Sequence, residues 1–262
     1  MKMKKPLVSV IMPAYNASLF ITSSVQSIKD QTFKNWELII INDGSTDNTL
    51  EILKKIKNRK IKIINQKKNI GPYKSINNHI NKCKGKFIAF LDADDVSNNK
   101  RLKIQSDFLI THKNFSLVGS NFKYIDTDGN YIKKNNGISI KEFNKTFPCQ
   151  NSIANSSVMF RKEIFKEIYF LDKEFFYAYD YVFYLKIFKK KRIMILKNYL
   201  LNYRLHNNQR TNALNMQKRI IKENIKLLAW SKKNGLINYS NMLLYYKNFL
   251  KNLIKYFILF LK

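Results

Sequence analysis

The sequence predicts an α/β protein: a mostly parallel central sheet flanked by helices, followed by a helical C-terminal extension. Three observations carry that reading. From Leu7 to Leu91, short β-rich runs alternate with amphipathic stretches, the βαβ pattern of a parallel sheet. The apolar run Phe87–Leu91 then opens into Asp92-Ala93-Asp94-Asp95, several carboxylates released where a buried strand ends. From about Thr211 onward the pattern is almost wholly helical, with Gly235 as the break.

Taken in order, strands are expected at Leu7–Met12, Glu37–Asn42, Ile61–Asn65 and Phe87–Leu91. Between them, Leu19–Lys29, Thr49–Lys57 and Lys74–Lys84 keep helical spacing, with Leu50, Leu53 and Ile56, and Ile76, Ile80 and Cys83, as core positions. Ser18 is a candidate cap for the first helix; Ser45, Thr46 and Asp47 are candidates for the second, and Gly85 stands where the third should stop. Beyond Asp95, Arg101–Thr111 reads as a helix. Ser116–Ile125 and Tyr131–Lys133 read as strands around a turn at Asp126–Asn130, Ile153–Phe160 as a further strand, and Tyr179–Lys189 as a helix. The division expected is one catalytic domain over residues 1–210 and a basic, helical extension over 211–262.

Composition bounds the function. A chain of 262 residues, 45% hydrophobic and 14% aromatic, has enough apolar material for a core and is not disordered despite its charge. The formal net charge of +30 calls for anionic surroundings: phosphorylated substrates, an acidic membrane surface or nucleic acid. Lys, Asn and Ile are abundant throughout, as AT-rich codons would supply, so charge alone identifies no partner. Cys83 and Cys149 have no CxxC neighbour or His cluster, which argues against a disulfide framework or zinc site; Cys83 is expected in the core. Lys2, Lys4 and Lys5 are followed by Pro6 and a short apolar stretch, so no secretory signal is expected.

In an open α/β sheet, ligands bind beyond the carboxyl ends of the strands. Three loops meet that condition: Pro13-Ala14-Tyr15-Asn16, Asp43-Gly44-Ser45, and Asp92 to Asp95. The last could be an acidic turn that caps a helix. Three Asp in four residues after a buried strand instead suit a divalent cation, which a diphosphate would share.

Val8-Ser9-Val10-Ile11-Met12-Pro13-Ala14-Tyr15-Asn16, Gln31-Thr32-Phe33, Glu37-Leu38-Ile39-Ile40, Asp43-Gly44-Ser45-Thr46-Asp47 and Asp92-Ala93-Asp94-Asp95 stand in the order found in the family 2 glycosyltransferases of the GT-A fold, which the chain resembles over about residues 6 to 210. The resemblance implies a nucleoside-diphosphate-sugar donor, usually a UDP-sugar, a divalent Mn2+ or Mg2+, and inverting transfer to a hydroxyl of a glycan or lipid-linked acceptor. It implies Asp94 and Asp95 as candidate metal ligands with Asp92 nearby: the family's Asp-x-Asp motif maps onto Asp92 and Asp94, some members use adjacent carboxylates like Asp94 and Asp95, and one of these acids contacts the donor ribose instead. It also implies Asp43 as acceptor for a uracil N–H. Pro13, Ala14 and Tyr15 would lie beside the nucleoside, with Gly71 and Lys74 near the diphosphate. Ile76 stands where family members often carry an Arg, and Lys74 is a point charge without its fork.

Tyr177 to Lys186 is similar to the family's Glu-Asp-Tyr-Asp-Leu-Trp-Leu-Arg region with only the second acid kept, which implies Asp180 as the base; Asp172 and Glu174 are weaker rivals. Tyr203-Arg204-Leu205-His206 resembles a Tyr-Arg-x-His element, and Arg204 and His206 alternate on one side of an extended segment where both could approach the diphosphate. His79 and His112 have no such context.

At the C-terminal end, Lys247, Lys251 and Lys255 form a stripe on a helix otherwise rich in apolar residues, too interrupted to span a bilayer but suited to an anionic membrane surface or to packing on a partner. The expected setting is cytoplasmic, peripheral on the inner face of the cell membrane, in lipopolysaccharide, lipooligosaccharide or capsule synthesis. Two other classes compete, a basic nucleic-acid-binding protein and a nucleotidyltransferase-like metal enzyme. The first lacks a recognisable nucleic-acid motif and the second lacks its Gly-rich basic loop.

Overall fold

The computed structural model describes residues 5–168, 175, 178–190, 192–207, 209 and 214–260. The first half is a run of strand–helix units: β1 (Val8–Ala14), α1 (Ile21–Lys29), β2 (Trp36–Asn42), α2 (Thr49–Lys54), β3 (Ile61–Asn65), α3 (Pro72–His79) and β4 (Phe87–Phe90). There follow β5 (Val96–Ser97), α4 (Arg101–Thr111), β6 (Leu117–Ile125), β7 (Tyr131–Lys134), α5 (Ile140–Thr146), β8 (Met159–Arg161), α6 (Tyr179–Lys189) and β9 (Ile193–Arg204). The helices α7 (Leu214–Lys233) and α8 (Met242–Phe260) close the described chain.

The strands form one sheet in the order β3-β2-β1-β4-β8-β6-β9-β5, with β7 hydrogen-bonded to β6. β1 to β4 are mutually parallel, as the alternating pattern predicts; β8 joins β4 antiparallel and turns the second half mixed. Because both faces are covered, the strands are apolar on both sides. Ile11, Ile39, Ile41 and Phe90 pack toward α3 and α6, whereas Val10, Met12, Leu38 and Ile40 pack toward α1 and α4. Each such fully buried side chain contributes about 1.5–3 kcal/mol of transfer free energy, which makes the β1–β2–β4 centre a rigid base for the loops above it.

Pro13 lies within this central sheet, a place where a missing N–H is normally excluded. The Ile11 carbonyl accepts Leu91 N–H, so by alternation Pro13 also faces the β4 side, and pairing with β4 has already ended at Phe90. No ladder bond is lost there.

Several local expectations change. The first helix begins at Ile21 without a side-chain cap, and Ser18 gives its backbone N–H to Asp47 Oδ2 at 3.1 Å. Asp47 instead accepts from Thr49 N at 3.0 Å, steadying the start of α2. Gly85 does not end α3, which gives way to a 3-10 turn over Ile80–Lys82. A Cβ at Gly85 would come 2.5 Å from Ser9 N, so glycine is needed there for chain-to-chain approach. The expected strand over Ile153–Phe160 is mostly loop and 3-10 turn, ending in β8. The helix α5 and the long β9 were not foreseen, the latter because Ile193–Arg204 mixes Lys, Asn and Tyr with apolar residues in place of clean alternation.

The helical pattern expected from Thr211 is found from Leu214, with Gly235 in the break between α7 and α8; Thr211 itself lies outside the described residues. Cys149, Leu228 and Tyr245 form a small cluster that seats these helices on the catalytic body, and Glu223 Oε2 accepts Ala178 N–H at 2.7 Å.

Burial pushes the thiol of Cys83 up to about 12 and that of Cys149 up to about 11. Raised thiol values leave less than about one part in a hundred as reactive thiolate at pH 8. The native protein is therefore expected to leave a disulfide reagent such as DTNB unreacted for minutes at pH 8 and to titrate both thiols only in denaturant. Rapid native reaction of either would contradict the core placement.

Candidate active site

The motif residues hold one another before they hold anything else. Asn16, in the left-handed region at φ 49°, accepts Thr46 N–H on its Oδ1 at 2.9 Å and gives its own N–H to Ser45 Oγ at 3.0 Å. Ala17 N donates to Thr49 Oγ1 at 2.8 Å. The loops after β1 and β2 are thus stitched into one surface, on which Pro13 and Ala14 are buried and Tyr15 is 47% exposed. Gly44 has φ 69°, and a Cβ there would fall 2.6 Å from the Lys68 carbonyl carbon, so the 66–71 loop can lie against the Asp43 turn only because position 44 is glycine.

Asp43 is 1% exposed, and its two carboxylate oxygens accept Ile70 N–H at 3.0 Å and Gly71 N–H at 2.9 Å. It ties the Gly71 loop down at the crevice. Any contact with a base would use lone pairs these two bonds leave. Gly71 caps α3 and Lys74 is exposed on its first turn, while Ile76 is fully buried in the core.

The acidic loop stands two strands away from Asp43, about 10 Å by strand spacing. Its own carboxylates face different surroundings. Asp92 Oδ1 accepts from Asn155 Nδ2 at 3.2 Å, and its N–H is held by Ser156 Oγ at 2.9 Å. Burial, and then the charge of Asp94, push the Asp92 carboxyl up to about 6. Asp95 is 1% exposed; one oxygen accepts Arg204 N–H at 2.9 Å and the other is buried without a hydrogen-bond partner. Burial and its two acidic neighbours raise Asp95 well above the ordinary carboxylate value. Asp94 keeps a partly exposed side chain, with Oδ2 3.0 Å from His206 Nε2.

One buried arginine binds the strand that leads into this loop, and another binds the loop itself. Arg101, at the start of α4, is fully buried, donating Nη2 to the Phe90 and Val158 carbonyls at 2.9 Å each and Nε to Gln105 at 3.0 Å. Burial lowers it to about 10, while the charges of Asp95 and Asp92 oppose that fall. Arg204, 3% exposed, donates Nε to Asp94 O at 2.8 Å, Nη1 to the Asp126 and Thr127 carbonyls at 2.9 and 2.8 Å, and Nη2 to Ser23 Oγ at 3.3 Å. The shared-anion expectation for Arg204 and His206 therefore divides: His206 turns to Asp94, while Arg204 is engaged by protein acceptors, its guanidinium 4.9 Å over the Phe20 ring. Arg101 was missed in the sequence, where it reads as an ordinary helix start. An Arg and a Gln four apart beside the buried positions Leu102 and Leu109 was the available signal.

Asp180 opens α6, in its first turn. Its Oδ1 accepts Tyr181 N–H at 2.8 Å, and its charge adds to the effect of burial in raising the Asp92 carboxyl and the Tyr184 hydroxyl. Tyr184 Oη donates to Asn155 Oδ1 at 2.8 Å, completing a chain from α6 through Asn155 to Asp92. Tyr73 stacks on Tyr179 at 4.7 Å, bringing the Gly71–Lys74 corner beside the start of α6. Asp172, Glu174 and Tyr177 lie outside the described residues.

Among the described residues, no three His, Cys, Asp or Glu side chains are arranged as a metal cage. A Mg2+ or Mn2+ shared with phosphates needs only one or two carboxylates. Asp94, partly exposed and oriented by His206, fits that need, while Asp95 is 1% exposed. A separate hollow of about 790 Å3, lined by Lys5, Lys84, Lys86 and Lys162, lies at the opposite ends of β1 and β4 and contributes no group to the site.

Residues 9–169 match the family described as glycosyl transferase family 2. The chain belongs to that family, and its fold is GT-A. An uncharacterised glycosyltransferase of Haemophilus influenzae is 35% identical over 246 residues, covering 84% of this chain and 73% of the relative. The O-antigen biosynthesis glycosyltransferase WbnJ of Escherichia coli is 32% identical over 211 residues, 77% of this chain and 80% of WbnJ. Among solved structures, S. aureus TarS 1-349 in complex with UDP-GlcNAc is similar in fold, with a TM-score of 0.67 and 22% identity over 84% of this chain. The chain spans 66% of that structure's length. Family membership leaves the nucleic-acid and nucleotidyltransferase alternatives without support.

Replacing Arg101 with Met is expected to destabilise the protein by about 3–5 kcal/mol in urea denaturation, because the Phe90 and Val158 carbonyls and Gln105 Oε1 lose their buried charged donor together. Lys103→Met, on the exposed side of the same helix, should change stability by less than about 0.5 kcal/mol. Equal effects from the two would remove Arg101 from its place as the buried clamp on the Phe90 and Val158 carbonyls.

Proposed function

We propose that the protein transfers a sugar from a nucleoside-diphosphate donor, a UDP-sugar, to a hydroxyl of a glycan or lipid-linked acceptor with inversion, in the synthesis of a bacterial surface glycan. The observation that carries this is the acidic loop Asp92–Asp95, held at the carboxyl edge of a parallel sheet by Arg204 and linked through Asn155 to Tyr184 of α6, the helix that carries Asp180. The likeness to WbnJ supports the glycan class, and the likeness to TarS bound to UDP-GlcNAc supports the donor.

The residues divide the work. The stitched Pro13–Tyr15 and Asp43–Ser45 loops form the nucleoside floor, with the Gly71–Lys74 corner beside the phosphates. Asp94, oriented by His206, would hold a divalent Mn2+ or Mg2+, which when bound supplies Lewis-acid stabilisation to the departing diphosphate. Asp92, held by Asn155 and Ser156, faces the donor sugar or ribose. Asp180 receives the proton of the acceptor hydroxyl as its oxygen forms the new bond to the anomeric carbon and the bond to the diphosphate breaks. Such a base adds roughly 10²–10⁴-fold to the rate, and placement within hydrogen-bond reach matters more than basicity.

A panel of nucleotide sugars assayed for metal-dependent release of nucleoside diphosphate tests the donor and the cation together. Asp180→Asn is expected to keep donor affinity within about threefold and lower transfer by about 10²–10⁴. Asp94→Asn should weaken metal-dependent nucleotide binding itself. Undiminished turnover in Asp180→Asn would take that residue out of the reaction.

A further inference from the structure

α8 turns two unlike faces in opposite directions. On the inner one, Tyr245 and Asn248 are buried, and Asn248 Nδ2 donates to Cys149 O at 3.3 Å and Gln150 Oε1 at 3.4 Å. On the outer one, Leu243, Tyr246, Leu250, Ile254 and Phe257 are 84, 54, 58, 51 and 63% exposed. At the helical turn angle these positions share an arc of about 80°, opposite the buried side. Lys247, Lys251 and Lys255, all exposed, border that stripe along one edge. The helix carries no acidic residue, and Lys232 from the end of α7 sits 5.6 Å from the Tyr246 ring.

We propose that this face docks the protein on an anionic lipid bilayer, with α8 lying in the plane of the headgroups. An apolar stripe of this size exposed to water marks an interaction surface. Its lysine border selects the partner: a second copy packed face to face would bring the same cations together, whereas anionic headgroups neutralise them while the stripe enters the acyl boundary. No helix among the described residues is long and apolar enough to cross a membrane, so α8 lies on the bilayer and does not traverse it.

The inner face of α8 gives the docking a direction. Asn248 grips Cys149 and Gln150, and the same segment runs on to Asn155, whose side chain donates to Asp92 Oδ1. One stretch of chain thus links the docked helix to the acidic loop, so a lipid-linked acceptor would arrive along the Cys149–Asn155 side. This consequence rests on the transferase reading; the docking itself does not.

Cosedimentation of the full chain with phosphatidylglycerol–phosphatidylcholine vesicles, with phosphatidylcholine alone as control, tests the proposal. Binding only to the anionic vesicles is expected, reduced at least about tenfold by Leu250→Asp with Phe257→Asp, and by joint Lys247→Gln, Lys251→Gln and Lys255→Gln. Equal binding by wild type and both variants, or no binding by wild type, overturns it. So does a self-association in sedimentation velocity that the Asp substitutions abolish while vesicles stay unbound, since the face would then join copies of this chain. Metal-dependent donor hydrolysis in the same preparations separates the two readings. Hydrolysis without vesicle binding sinks the docking alone, and vesicle binding without hydrolysis sinks the transferase reading alone.

Discussion

Everything at this site depends on keeping acidic side chains together in a loop largely withdrawn from water. Asp92, Asp94 and Asp95 repel one another, and burial raises the first and third toward their neutral forms. The fold answers with cations from two directions. Arg101, from α4, donates to the Phe90 and Val158 carbonyls at the strand that leads into the loop, and Arg204, at the end of β9, binds the Asp94 carbonyl and gives its N–H to the Asp95 carboxylate.

That arrangement explains why residues far apart in the chain share so many bonds. Gln31 donates to Ser97 Oγ and the Asn98 carbonyl, Ser24 reaches the Ala93 carbonyl, and Ser156 holds the Asp92 N–H. The Asp43 carboxylate restrains Ile70 and Gly71 in the same manner. Preorganisation of this kind is what a transfer reaction demands, because only groups already in position stabilise charge that develops for an instant. The segment from Cys149 to Asn155 links the inner face of α8 to the acidic loop.

The parallel half of the fold was legible because its signals are local. Short β-rich apolar runs, helical spacing and polar loops sit in order, and the order itself carried the resemblance. The mixed half was not. β9 pairs with β6 across about seventy residues of chain and with the two-residue β5, and pairing over such distances leaves no local pattern in Lys- and Asn-containing runs. Arg204 was expected to reach a phosphate, and its carbonyl partners at Asp94, Asp126 and Thr127 come from two separate loops that only folding brings to it.

By itself, then, the sequence determined the family, the βαβ frame and the list of carboxylates, since residue type and short-range spacing encode each of these. Tertiary structure decided how those residues divide: Asp94 half-buried beside His206 and Asp95 buried, Arg101 buried on the Phe90 and Val158 carbonyls, and α8 with one face against Cys149 and the other exposed. Burial is the physical reason. Whether a charge meets water, another charge or a carbonyl depends on which distant segments close over it, and that is a property of the packed chain.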